Sequence, residues 1–185
     1  MTGYDPAGML ETKFCGLGDA PALDGDTTIA GYASLYGIAD QGGDIVQKGA
    51  YGRALERLFA KGRTVKMLWQ HDPATPIGVW EAVEEDGTGL HVRGRILTEV
   101  RAGREALALL KAGAIDGLSI GYRTIRAEKS GVGRLLHEIE LWEVSLVTFP
   151  MLPEARAQSK SDDTETDALA NDLASFFDDA AALLA

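Results

Sequence analysis

Three side chains in this 185-residue sequence have types and settings suited to acid–base or nucleophilic chemistry: Ser119, His71 and Glu143. Ser119 lies in Gly117-Leu-Ser-Ile-Gly121, which fits the G-x-S-x-G string of a nucleophile elbow. That elbow needs a strand before the serine and a helix after it, and here the predicted order is the reverse. It also needs an acid and then a histidine downstream, and the only later histidine, His137, leaves no room for a large sheet. The elbow reading is therefore rejected, together with the small-ester hydrolase it would imply. Taken alone, a serine between glycines at a strand start is turn chemistry. His71 stands in Trp69-Gln-His-Asp-Pro73, at the end of an apolar stretch. A strand end fixes a side chain while leaving it open to a cleft, and an imidazole titrates near neutrality, as a general base must. The residues alone leave open a partly buried histidine bonded to a backbone carbonyl.

Glu143 belongs to a predicted strand from Leu135 to Phe149, whose odd-numbered face reads Leu135, His137, Ile139, Leu141, Glu143, Ser145, Val147, Phe149. A carboxylate on such a face costs several kcal/mol unless it is paired or hydrogen-bonded, so it needs a partner. The imidazole N–H of His71 is a suitable one; an arginine in a structural ion pair is another. His137 shares the face and is the rival. Glu138 and Glu140 fall on the opposite, solvated face. His91 alternates with Arg93 and Arg95 and has no assigned role. Three scattered histidines without HxH or HxxxH spacing, and no CxxC, give no metal site, and no cofactor is expected. Cys15 reads as a small packing residue.

The elements that must position these groups are short and strand-rich. Thr28–Tyr36, Thr64–His71, Ile77–Val83, Gly89–Leu97, Leu118–Ile125 and Leu135–Phe149 read as strands. Along the second, Val65, Met67, Trp69 and His71 share a face, and Pro73 and Pro76 end it. Gly49–Lys61 and Val100–Lys111 read as helices stopped by Gly62 and Gly113. Many strands, two helices and no regular β–α alternation predict an α+β domain on an antiparallel sheet or barrel.

Composition sets the outer limits. Hydrophobic residues make up 45% and the formal net charge is −10, with 28 acids against 18 bases. That is globular composition, and its acidity argues against phosphate-backbone binding as the main task, so no direct nucleic-acid contact is expected. No apolar run reaches membrane-spanning length, and the first residues lack a secretory pattern, so a cytoplasmic, membrane-free protein is expected. Residues Ser161–Ala185 hold seven acids and no base, leaving 21 acids and 18 bases before them, a body of only −3. The division is a domain over 1–155 followed by a flexible linker and tail over 156–185. In the tail Leu169, Leu173, Phe176, Phe177, Ala180 and Leu184 have helical spacing, which predicts an acidic amphipathic helix, either docked on the body or, the reading favoured by the abrupt charge shift, detached and laid in a partner groove.

Five strings, taken in order, resemble the prohead (procapsid) maturation proteases of tailed phages, prophages and gene transfer particles. They are Gly31-Tyr-Ala-Ser-Leu-Tyr36; Gly43-Asp-Ile-Val46 with Lys48-Gly-Ala-Tyr51; Leu68-Trp-Gln-His-Asp72 with Pro76-Ile-Gly78; Gly117-Leu-Ser-Ile-Gly-Tyr122; and Trp142-Glu-Val-Ser-Leu-Val-Thr-Phe-Pro150. The resemblance spans residues 10–155. It implies a fold similar to the herpesvirus assembly protease: a small, mostly antiparallel β-barrel surrounded by a few helices. It also implies a serine endopeptidase with Ser119 as nucleophile, His71 as general base and a third member on a late strand. The herpesvirus enzymes place a histidine there, about two dozen residues past the serine. Glu143 has that separation and His137 comes too early, so Glu143 is the expected third member. The loop from Phe149 onward is the expected source of oxyanion donors. The implied substrate is the scaffolding region of the major capsid protein, or a separate scaffold, cut inside the assembling procapsid. Self-cleavage and a homodimer are expected by analogy with such enzymes. A competing expectation is a non-proteolytic assembly factor on the same fold.

Overall fold

The computed structural model describes residues 11–14, 22–24, 27–40 and 42–148. The predicted tail, Cys15 and the loop from Phe149 lie outside the described residues. The strands are β1 (Glu11–Phe14), β2 (Ala22–Asp24), β3 (Thr28–Leu35), β4 (Ile45–Val46), β5 (Lys66–Trp69), β6 (Asp72–Glu85), β7 (Gly89–Ile96), β8 (Gly117–Ser130) and β9 (Gly133–Val147). The helices are α1 (Gly52–Ala60) and α2 (Arg101–Lys111). One sheet of order β1-β8-β9-β5-β6-β7-β3-β2 holds them, with β4 added to β9. Every neighbouring pair is antiparallel except β5–β9 and β4–β9.

The class is therefore mixed α+β with a mostly antiparallel sheet, as expected. The barrel takes the form of a curled half-barrel: among the described residues the hydrogen-bonded order is an open path with β1 and β2 at its ends. Bulges at Tyr32/Ser34, Trp80/Ala82 and Gly121/Tyr122 supply curvature, because an extra residue on one strand bends it and adds local twist. The concave side is filled by Ile29, Met67, Ile77, Leu90, Val92, Ile96, Ile120 and Leu146, each at most 1% exposed. Leu55 of α1 and Ala106, Leu107 and Leu110 of α2 pack onto the same core.

Three element boundaries differ from expectation for identifiable reasons. Helix α1 starts at Gly52 rather than Gly49, because Gly49 is left-handed (φ +86°) and the next residues form a turn. The Glu85 carboxylate accepts the Tyr51 N–H (3.0 Å) at the start of α1, where a negative charge suits the helix dipole. The same Oε1 accepts the Tyr36 hydroxyl (2.6 Å), so burial and then Glu85 both raise the phenol. Strand β5 stops at Trp69, two residues early, so His71 does not continue its face. Pro73 and Pro76 lie inside β6 instead of ending a strand. The β5–β6 ladder is bulged at Leu68, opposite Pro76, where a missing N–H is tolerated.

Strand β1 is tied to the sheet by a polar ladder. The Glu11 carboxylate accepts the Thr124 hydroxyl (2.5 Å) and amide (3.2 Å) and pairs with Arg134, whose Nε also reaches Asp44 (3.1 Å). Burial works to raise the Glu11 carboxyl, but the Arg134 and Thr124 bonds outweigh it and hold it below its ordinary 4.5. A carboxyl lowered on folding stabilises the fold above its unfolded value, and that contribution is lost as pH falls through the folded one. Thermal melting from pH 7 to pH 3 should therefore show wild type above Glu11→Gln at neutral pH. The gap should close below about pH 4.

Candidate active site

Strand pairing brings the candidate residues together. In the β8–β9 ladder Ser119 lies opposite Ser145 and Gly121 opposite Glu143. In the parallel β5–β9 ladder Lys66 lies beside Glu143 and Leu68 beside Ser145. The end of β5 therefore arrives next to the polar pair on β9. The chain then turns back into β6 through Gln70 and His71, with Trp69 paired to Asp72. Both turn residues have positive φ, 53° and 62°, as a two-residue type I′ hairpin loop requires. Neither is glycine or asparagine, so each costs on the order of 1–2 kcal/mol. Contacts to β9 and the residue after it over-determine this turn. Gln70 N–H donates to the Leu146 carbonyl (3.0 Å), the Gln70 side chain donates to Thr148 Oγ1 (2.6 Å), and His71 N–H donates to Ser145 Oγ (3.1 Å).

The turn projects His71 between the two strands. Its Nδ1 lies 2.6 Å from Glu143 Oε1 and its Nε2 lies 2.7 Å from Ser119 Oγ. An ionised carboxylate only accepts, so Nδ1 carries the hydrogen and Nε2 is left to accept from the serine hydroxyl. Ser145 Oγ donates to the other carboxylate oxygen, Glu143 Oε2, at 2.6 Å. Ser119 and Ser145 are fully buried, Glu143 is 3% exposed, and the His71 side chain is 17% exposed. This arrangement suits proton transfer from a hydroxyl to an imidazole whose tautomer and cation are stabilised by an acid. Among the described residues no group of three or more His, Cys, Asp and Glu is placed to hold a metal.

His137 is not part of this cluster. It lies six residues up β9 from Glu143, on the order of 20 Å away, with Nε2 3.4 Å from Glu128 Oε1. The register passes from Gly121–Glu143 to Tyr122–Leu141, leaving Trp142 as an extra residue on β9 that breaks the simple alternation between Glu143 and His137. Glu140 is 41% exposed, as expected, and holds Arg123 (2.6 Å), whereas the Glu138 side chain is only 15% exposed and pairs with Arg57 (2.9 Å). His91 packs edge-on against Tyr32, ring centroids 5.1 Å apart.

Two members of the cluster carry no obvious catalytic chemistry in the sequence. Ser145 bonds both the His71 backbone and the Glu143 carboxylate; its signal was its place two residues after Glu143 on one strand face. Gly121 is the second. A Cβ there would lie 2.1 Å from Glu143 Oε1 and 2.8 Å from its Cδ. The second glycine of Gly117-Leu-Ser-Ile-Gly121 therefore makes room for the acid, and no turn requires it.

Comparison with known proteins gives a consistent outcome. The family described as caudovirus prohead serine protease (Peptidase_S78) matches residues 19–169. The prohead protease of Enterobacteria phage HK97 is 31% identical over 149 residues, which are 78% of this chain and 62% of that protein. The chain thus spans about three fifths of that relative's length. The solved structure of the bacteriophage T4 capsid assembly protease superposes with a TM-score of 0.60 at 16% identity. The match covers 75% of this chain and 96% of that one, a likeness of fold.

Two substitutions probe the geometry directly. Gly121→Ala displaces the Glu143 carboxylate, and the rate at which an alkyl fluorophosphonate labels Ser119 should fall about 100-fold. Ser145→Ala strips a buried partner from both Glu143 and the His71 amide. It should lower unfolding free energy by about 1–3 kcal/mol in denaturant titration.

Proposed function

The chain belongs to the caudovirus prohead serine protease family, and from that membership we propose that it is a serine endopeptidase of capsid maturation. The observation that carries this reading is the unbroken relay Glu143–His71–Ser119, with bonds of 2.6 and 2.7 Å. In the proposed mechanism Ser119 Oγ attacks the scissile carbonyl while His71 Nε2 takes its proton. Glu143 stabilises the imidazolium that forms. His71 returns the proton to the leaving amine, and a water activated by the same imidazole releases the acyl-enzyme. Glu143 serves here where the herpesvirus enzymes use a second histidine. A carboxylate differs in remaining anionic while the imidazole is charged, so the pair is neutral overall during proton transfer. Oxyanion donors are assigned to the loop from Phe149 onward, outside the described residues.

The substrate proposed is the scaffolding region of the major capsid protein, or a separate scaffold, cut inside the assembling procapsid. The names of both relatives, a prohead protease and a capsid assembly protease, support it. Self-cleavage at the boundary near residue 155, recruitment through the acidic tail over 156–185 and a homodimer belong to the same proposal. The competing reading, an assembly factor without proteolysis, gives no reason for a buried acid, imidazole and hydroxyl to be held in line.

The test is an intact-mass time course after co-expression with the capsid protein, beside Ser119→Ala and Glu143→Gln. Discrete cleavage should appear with wild type, fall at least about 10⁴-fold with Ser119→Ala, and fall about 10²–10⁴-fold with Glu143→Gln. Shells that mature normally with Ser119→Ala would establish the assembly-factor reading instead.

A further inference from the structure

We propose that the basic groove between α1 and β9 is the docking site for the chain's own acidic tail, residues 161–185, whose apolar side lies against Trp142 and Leu58. Neither the groove nor the tail depends on the endopeptidase reading.

The groove starts from a bulge. Between the pairs Gly121–Glu143 and Tyr122–Leu141 the β8–β9 register leaves Trp142 as an extra residue. Trp142 is 53% exposed and is the one exposed residue of β9. With Leu58 of α1, Leu141 and the Arg63–Lys66 segment it lines a groove of about 350 Å³. A smaller hollow continues along α1 past Ala54, Arg57 and Lys61. A half-exposed tryptophan beside leucines holds apolar surface in water, and covering that surface is favourable.

The rim selects the occupant. Arg57, Lys61, Arg63 and Lys66 line the two hollows, against a single acid, Glu140. Glu140 is already paired with Arg123, and Arg57 with Glu138. Among the described residues Lys61 and Arg63 have no ion-pair partner. A basic groove stands out on a chain of net charge −10, and its field draws an acidic segment. The hollow beside Phe59 and Trp80 is the contrast. It is lined by Glu84 and by Glu81, which pairs with Arg93 and Arg95, and by no base.

The tail has the complementary chemistry. Residues 161–185 hold seven acids and no base, and Leu169, Leu173, Phe176, Phe177 and Leu184 recur at helical spacing. An amphipathic helix laid in a groove is a recurring mode of recognition. The tail lies outside the described residues, but the strand that leads to it does not. β9 ends at Val147, five residues from Trp142, which is on the order of 17 Å. Twenty residues separate Thr148 from Leu169. A coil of that length spans about 25 Å, which matches the distance back to the groove. The chain's own tail is therefore present at roughly millimolar effective concentration, ahead of the tail of a second copy in dilute solution. A partner that recruits the chain by its tail must first displace it from this groove.

The test is zero-length carbodiimide cross-linking, which joins a lysine amine to a carboxylate where the two meet. It uses the full chain with Ser119→Ala, which keeps the tail attached, in dilute solution and low salt. Tryptic mass mapping of the monomer should join Lys61 or Lys66 to Asp172, Asp178 or Asp179. Phe176→Ala with Phe177→Ala, and separately Trp142→Ala, should cut that yield at least about tenfold. Arg63→Glu should cut it about threefold. Both lysines remain in every variant, so the loss reports docking. If Trp142→Ala disturbs Glu143 and fails to fold, the tail substitutions carry the readout. Lys111 and Lys129, outside the groove, are the controls. Tail cross-links to these controls at equal yield, or none to Lys61 and Lys66, overturn the proposal and leave the tail free for another protein. Cross-links found only in a covalent dimer overturn it in favour of a second copy's tail.

Discussion

Glu143 sets the terms for the site. A carboxylate at 3% exposure must be met by donors or it destabilises the sheet that buries it. Its two oxygens take the His71 imidazole and the Ser145 hydroxyl, and Gly121 leaves the volume its side chain fills. These partners come from three places in the chain, so the demand of one buried charge fixes the relative positions of β5, β8 and β9. The parallel pairing of β5 with β9 serves the same demand. It delivers the β5–β6 turn to the acid instead of carrying it past on an antiparallel course.

The positive-φ pair Gln70-His71 shows how that demand is met locally. A type I′ turn without glycine or asparagine is strained, and here the strain is offset by bonds to Ser145, Leu146 and Thr148. The turn is thereby a rigid pedestal. His71 reaches the cluster because its backbone is bent into an unfavoured region and held there. Asp72, next along, closes its own small turn by accepting the Thr75 hydroxyl and the Ala74 amide, and those bonds hold its carboxyl below the usual range.

The legible part of this protein was what period and punctuation encode. The two helices with Gly62 and Gly113 as stops, the β6–β7 hairpin and the late strand bearing Glu143 all follow from local pattern. The pairing of Glu143 with His71 was also foreseeable, because a carboxylate on an apolar face needs a donor. Three-dimensional closure was not legible. Nothing local says that β5 pairs with β9 in parallel, that two prolines lie within β6, or that the His71 backbone is left-handed. Bulges defeated the face assignment of His137, since one extra residue shifts every side chain beyond it. Gly121 was visible only as half of a misleading elbow string. Its purpose is an empty volume, which a sequence cannot display.

The chain order of the cluster has a consequence for synthesis. His71 and Ser119 emerge from the ribosome before Glu143 and Ser145, and β5 has no parallel neighbour until β9 exists. The pedestal under His71 is built from residues 145, 146 and 148, close to the end of the described chain. A nascent chain therefore carries its serine and its imidazole for the whole span from 119 to 148 without the frame that aligns them. The three side chains of the relay are aligned only once β9 has joined the sheet.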